Sequence, residues 1–432
     1  MKQESGQGLQ PYITKKTEID LSFEVVILVI GGVFFLLFGV LLFLITKEML
    51  PYTEGSMYGL FVVLVSIQAI TMGKTPFGDL LRSWFVVVIG IVTAMTGTLA
   101  IFYPEHLGSM IRLLAGLIVL ITGALGLIQL FTAKDKAQAW LKVPGILQHL
   151  TVACILVYGI EVVLGIVTLF PGIMPDQVTA VFCLIIGASI FFLAWSIHKV
   201  QHKYPGEDEK TNQLETPSHT RFCLFQKTSL TMGNAISTYQ GCLMILLGFL
   251  IFFSILGILP SFNADGQLGL LLVLTSLQLL ALGQFVGSTV TRSWPIVIFG
   301  ILCAGVGIFS CIVPGIVSEV IQSILGLQNL VTGVMILVTQ IVAPTLYGIK
   351  HPPEEAVTLP PIIKRLLFIL MITGLVTIIF GINMFMPVLL PNLIGMIGVA
   401  ILLPLLVIVI GILMLLTVSI TQKLEQGALS AS

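Results

Sequence analysis

The sequence predicts an all-α polytopic membrane protein of about twelve transmembrane helices, arranged as two tandem six-helix halves built from two-helix hairpins. Three observations predict it. The 432 residues are 57% hydrophobic and 9% charged, with a mean hydropathy of +1.09, whereas a soluble domain carries about 25% charged residues. Twelve apolar runs approach the roughly 20 residues needed to cross a ~30 Å hydrocarbon core. The stretch from Ser66 to Gly123 also repeats without a gap, 210 positions later, as Ser276 to Gly333. The repeat is anchored by residues that chance would not match in an apolar chain. Ser66, Gln68, Arg82-Ser83-Trp84, Gly90, Gly97 and Pro104 fall on Ser276, Gln278, Arg292-Ser293-Trp294, Gly300, Gly307 and Pro314. An internal repeat of this kind fixes the architecture first.

Taken in order, residues 1–22 form a polar tail without the short apolar core and cleavage site of a signal peptide, so insertion is expected to start from the first long apolar run. The first six-helix half spans residues 23–197, with runs beginning near Phe23, Tyr58, Ser83, Met110, Leu150 and Val178. A polar linker follows over 198–236, carrying Glu207-Asp208-Glu209-Lys210. The second half spans 237–420, with runs beginning near Ser237, Gly269, Ser293, Glu319, Arg365 and Asn392, and 421–432 is a second tail. Short links bearing Pro or Gly, such as Pro171-Gly172 and Pro314-Gly315, join the runs.

Because six is even, both halves start on the same side. Of the 20 Lys and Arg residues, 18 fall on the side of the N-terminus and only Lys47 and Arg112 on the other. Positive charge is retained on the cytoplasmic side. The expected location is therefore the plasma (inner) membrane, multi-pass, with both termini cytoplasmic.

Glycines seven apart recur on the first helix of each pair: Gly32/Gly39, Gly90/Gly97, Gly241/Gly248, Gly300/Gly307 and Gly374/Gly381, with Gly159/Gly165 in the remaining pair. Seven residues is nearly two turns, so such glycines share a face. Helices in lipid associate through close backbone approach at small residues. Gly90, Gly97, Gly300 and Gly307 are therefore expected at helix crossings, and the repeating unit reads as a two-helix hairpin with a glycine seam.

"GIVTAMTGTLAIFYP" followed by "LLAGLIVLITGALGLIQLF" (Gly90 to Pro104, Leu113 to Phe131) resembles the two-helix repeat of the HdeD-like acid-resistance membrane proteins. "GILCAGVGIFSCIVP" with "ILGLQNLVTGVMILV" repeats the likeness in the second half. The chain would be a duplicated form of that family. The resemblance implies an inner-membrane protein tied to envelope or acid stress, and brings no catalytic residues with it.

The candidate polar site consists of Glu161, Gln68 and Gln278. A carboxylate inside "LVYGIEVVLGIVTLF" costs several kcal/mol unless paired, solvated or protonated, so it marks either a proton or cation site or a protonated acid held inside the bundle. The equivalent position in the second half is Thr377, which would make such a site asymmetric. Gln68 and Gln278 would line a polar path or act as interhelical hydrogen-bond glue. Arg82 with Trp84, and Arg292 with Trp294, read as interfacial anchors.

The loops carrying those anchors also resemble the glycine- and Asp/Arg-bearing loop motif of major facilitator transporters, through Gly73, Gly78, Asp79 and Arg82, with Thr289 where an acid would stand in the second copy. That family is built from three-helix inverted units, which the hairpin repeat opposes. His198 and His202 are spaced for a metal on a helix face but have no third ligand nearby. Cys154, Cys183, Cys223, Cys242, Cys303 and Cys311 show no metal spacing. No nucleotide, dinucleotide, hydrolase or metalloprotease motif is present.

Two functional readings follow. One is a non-catalytic HdeD-like membrane protein in stress tolerance, or a structural subunit of a membrane assembly. The other is a secondary transporter of a small neutral or weakly acidic solute. A polar central cavity would favour the transporter, and a dry, tightly packed bundle the first reading. Neither calls for a cofactor or for nucleic acid; the expected partners are the bilayer and other membrane subunits.

Overall fold

The computed structural model describes residues 22–71, 84–132, 141–142, 145–203, 232–260, 262–280, 294–342, 345, 360–389 and 396–431. Among them the chain forms twelve long helices. In the first half these are α1 (Phe23–Ile45), α2 (Glu54–Thr71), α3 (Trp84–Phe102), α4 (Pro104–Thr132), α5 (Ile146–Leu169) and α6 (Asp176–Lys203). The second half holds α7 (Met232–Ile255), α8 (Ala264–Leu280), α9 (Trp294–Ile312), α10 (Ser318–Leu337), α11 (Pro361–Leu389) and α12 (Met396–Ala431). Every helix starts within six residues of its expected position. Eleven are long and apolar enough to cross a membrane, and α8 follows at 17 residues, about 25 Å of helix. This is an all-α polytopic membrane protein.

The helices pair differently from the chain order. In the first half the most extensive contacts are α1 with α6, α2 with α3, and α4 with α5; in the second they are α7 with α12, α8 with α9, and α10 with α11. The glycine seam therefore joins successive hairpins, and closes the half by bringing its last helix back to its first. Of the two arrangements the sequence allows, within or between hairpins, the chain uses the second. A hairpin with a five-residue link and a glycine contact between hairpins satisfy the same sequence pattern, so spacing alone does not choose between them.

Backbone proximity at the seams explains why glycine is needed. A Cβ on Gly97 would stand 2.6 Å from the Gly59 carbonyl oxygen, and one on Gly59 would stand 2.6 Å from that of Gly97. Gly269 and Gly307, each 210 positions later, reproduce this reciprocal contact at 2.6 and 2.7 Å. Gly90 meets Ile70 as Gly300 meets Leu280. The α4–α5 and α10–α11 seams correspond too, through Gly165 against Leu120 and Gly381 against Leu330. There the fifth helix of each half has slipped to an offset of 216, because the link before α11 is longer.

One expected seam glycine is not in the seam. Gly159 has open space where its Cβ would be. The position equivalent to Gly374 is instead Tyr158, whose ring occupies the space beside Gly126. In the second half residue 336 is Ile and residue 374 is Gly, so large and small residues have exchanged across the same seam.

The halves meet through α1, α2 and α3 of one and α7, α8 and α9 of the other. The Thr53 amide donates to the Ile312 carbonyl at 3.3 Å, and the Asn263 amide donates to the Phe102 carbonyl at 3.1 Å. These are one contact made twice, since Asn263 and Ile312 stand 210 positions after Thr53 and Phe102. Such reciprocity is the mark of a twofold relation. With both halves starting on the same side, the axis runs along the membrane normal. The most enclosed helices, α2 and α8, lie at this junction and are buried over most of their length.

Candidate functional site

Polar groups inside the helices gather at three places among the described residues, and single amides stand elsewhere. The first is the junction between the halves. The Tyr239 ring on α7 is fully buried, and its hydroxyl donates to the Val63 carbonyl on α2 at 2.9 Å while lying 3.0 Å from the Ser66 hydroxyl. Nearer the far end of α2, Asn263 donates through Nδ2 to Ser56 Oγ at 3.0 Å and caps α8 by accepting from the Gly266 amide at 3.1 Å. Ser56 in turn donates to the Ile101 carbonyl at 3.2 Å. In the second half the donor sits on the other helix, where Cys311 donates to the Gly266 carbonyl at 3.3 Å.

The second place is the α2–α4 end and its repeat. Arg112 pairs with Glu54 at 3.1 Å. The repeat uses another solution: the Asp265 carboxylate accepts from Ser318 Oγ and from the Gly315 amide. Asp265 and Ser318 replace Gly55 and Gly108, which simply pack together in the first half. Beside this ion pair, burial, with the charges of Tyr58 and Glu54 adding, pushes the Tyr52 phenol well above its ordinary value. It therefore stays neutral.

The third place is around Glu161. At 100° per residue Glu161 falls in the middle of the buried stripe of α5, between Cys154, Val157, Leu164 and Gly165. It faces into the half, with its Cβ 2.8 Å from where Gly123 would carry one. It remains half-buried, and no hydrogen bond or ion pair reaches its carboxylate among the described residues. Seven residues on, Thr168 shares this stripe and interacts with Tyr58 of α2. Thr377 occupies the equivalent place in the second half and satisfies itself by donating to the Thr373 carbonyl at 2.7 Å. The Tyr58 and Thr168 positions become Leu268 and Met384 there.

The three residues singled out from sequence do not come together. Gln68 lies three residues from the end of α2, while Glu161 lies eight residues from the opposite-side end of α5. Gln278 turns to α12, where its Nε2 is 3.6 Å from Met414 Sδ. The interfacial Trp84 and Trp294 are both exposed at helix starts; Arg82 and Arg292 lie outside the described residues, as do Gly73, Gly78, Asp79 and Thr289. The His198 and His202 rings are 4.5 Å apart, with no group of three metal-ligating side chains among the described residues.

Sequence reasoning missed the amides of the second half. Gln240 is buried and donates to the Leu274 carbonyl at 2.9 Å, and Asn234 accepts from Thr421 at 2.9 Å. Gln240 Oε1, Gln328 Oε1 and Asn383 Nδ2 are buried without a hydrogen-bond partner among the described residues. Their signal was present as amides inside apolar runs, but none has a polar counterpart in the first half, so a search by repeat passed over them. Comparison with protein-family models, with curated proteins and with solved structures finds no match to this chain.

Proposed function

We propose that this chain is a non-catalytic integral membrane protein, an HdeD-like duplicated form that serves envelope or acid-stress tolerance or supports a larger membrane assembly. The supporting observation is how the intramembrane polar groups are used. Ser56, Ser66, Tyr239 and Gln240 bond to neighbouring helices, and Thr98, Thr275, Ser276 and Thr377 to their own. Glu161, Gln68 and Gln278 stand apart and do not form one solute site. A carrier of a charged solute needs compensating groups gathered near the midplane. Mild-detergent purification should give defined membrane subunits at fixed stoichiometry, and cells lacking the chain should survive acid challenge less well. Unchanged acid survival, together with a chain that purifies alone, rejects the proposal.

A second reading, the secondary transporter, is favoured by the inward-facing Glu161 and by the amide atoms Gln240 Oε1, Gln328 Oε1 and Asn383 Nδ2, which have no partner among the described residues. Proteoliposome uptake of small weak acids and neutral solutes separates the two. The primary reading expects no uptake, and a Glu161→Gln variant whose Tm stays within about 2 °C of the parent. Uptake that falls more than about tenfold in Glu161→Gln, the signature of an essential acid, establishes the transporter instead.

The orientation belongs to the same proposal: an inner-membrane protein with both termini cytoplasmic. Asn263 is a poor reporter because it bonds to Ser56 and Phe102. Ile173 and Ile258 are exposed in links on the other side. In a Cys223→Ser background, Ile173→Cys and Ile258→Cys should react with an impermeant thiol reagent in intact cells. Ser218→Cys should react only after permeabilisation. The reverse pattern inverts the topology.

A further inference from the structure

Where the start of α5 meets the end of α6, a cleft of about 480 Å³ is lined by Gly145, His149, Trp195, Lys199, His202 and Lys203. It lies on the side that receives most of the Lys and Arg residues. A solvated run of surface charge is the ordinary explanation for lysines at a helix end. Three features set this group apart. The cations line a concavity. Its floor is aromatic and ordered: His149 packs edge-on to Trp195 and Phe192, with centroids 6.3 and 6.0 Å apart, and Lys199 Nζ stands 4.2 Å over the Trp195 ring. Finally, α5 begins at Gly145 without a side-chain cap, and Gly145 itself lines the cleft.

The cleft continues into a lipid-facing surface. His149, Val152 and Leu156 share one face of α5 at spacings of three and seven residues, and Val152, Leu156 and Trp195 are exposed. A group held among the lysines would thus have a path for an acyl chain directly beneath it. Basic pockets between transmembrane helices are suited to anionic headgroups.

We propose that this cleft binds an anionic phospholipid, with its phosphate between Lys199, Lys203 and the α5 amides and its chain along Val152 and Leu156. The proposal is independent of whether the chain carries a solute. The test is native mass spectrometry of the detergent-solubilised full chain titrated with cardiolipin, phosphatidylglycerol or phosphatidylcholine. The parent should bind the two anionic lipids in preference to phosphatidylcholine. Lys199→Gln/Lys203→Gln should weaken anionic-lipid binding by roughly thirtyfold, while Lys199→Arg/Lys203→Arg retains it and Lys47→Gln on the opposite side leaves it unchanged. Equal binding of all three lipids overturns the proposal, as does a Gln variant that binds like the parent. Displacement of the lipid by millimolar inorganic phosphate would assign the cleft to free phosphate and also overturn it. Should the Gln variant lose its parental melting transition, retention by the Arg variant together with loss in Val152→Asp decides the question.

Discussion

Replacing Gly97 or Gly307 with leucine should be among the most damaging substitutions in the chain. Even the first added carbon would sit 2.6 or 2.7 Å from a backbone oxygen of the partner helix, closer than any van der Waals contact permits. Backbone cannot rotate aside as a side chain does, so the two helices must separate. Gly97→Ala should therefore cost about 1–3 kcal/mol, the usual range for overpacking, and Gly97→Leu more than about 3 kcal/mol. Gly159→Ala and Gly31→Ala provide the contrast. Open space surrounds both positions, and alanine is the better helix former by about 1 kcal/mol in water. They should melt at or slightly above the parent temperature in detergent. If Gly97→Ala also melts with the parent, close backbone approach is not what the recurring glycines provide.

Tyr239→Ala should rank second and should act on the junction between the halves. The ring is buried against α2 and its hydroxyl bridges Val63 and Ser66. Removing a buried aromatic side chain costs about 3–5 kcal/mol. Tyr239→Phe keeps the ring and loses only a hydrogen bond, worth about 0.6–2 kcal/mol within a membrane. Two halves expressed as separate polypeptides, divided within the polar segment after Lys203, should co-purify. Tyr239→Ala should reduce that association well beyond Tyr239→Phe, without changing the helical content of either half. Equal effects from the two variants would mean the ring does not hold the halves together.

Much of this architecture was legible because glycine, proline, serine and glutamine stand out against an apolar background. The offset of 210 aligned α2 to α4 with α8 to α10, and the matching fifth helices, six residues further out of step, placed Thr377 at the position of Glu161. Spacing was less informative where its geometry differs. Seven residues return to the same helix face within about 20°, whereas six fall about 120° away. Gly159 and Gly165, six apart, therefore never shared a seam, and Tyr158 took the vacant role. The direction of pairing was hidden for a different reason: a glycine stripe shows which face packs closely, but not against which neighbour. Tyr239 was invisible because one aromatic residue in an apolar helix looks like any other core residue. Asn263 read as a link residue until its bonds to Ser56 and Phe102 made it part of the junction. The inward stripe of Glu161 and Thr168 was half legible, since the acid is conspicuous while its contact with α2 depends on the fold.

The twofold relation between the halves predicts that two distant residue pairs behave alike. In a chain whose six native cysteines are replaced by alanine, Thr53→Cys/Ile312→Cys and Phe102→Cys/Asn263→Cys should each form an intramolecular disulfide under mild oxidation. Disulfide formation requires Cα atoms roughly 4.4–6.8 Å apart, a range compatible with adjacent backbones joined by the Thr53–Ile312 and Asn263–Phe102 hydrogen bonds. Comparable yields from both pairs, at the mobility of a monomer, are the predicted result. Closure of one pair without the other, or crosslinks that form only between separate chains, would contradict the parallel, twofold packing of the two six-helix halves.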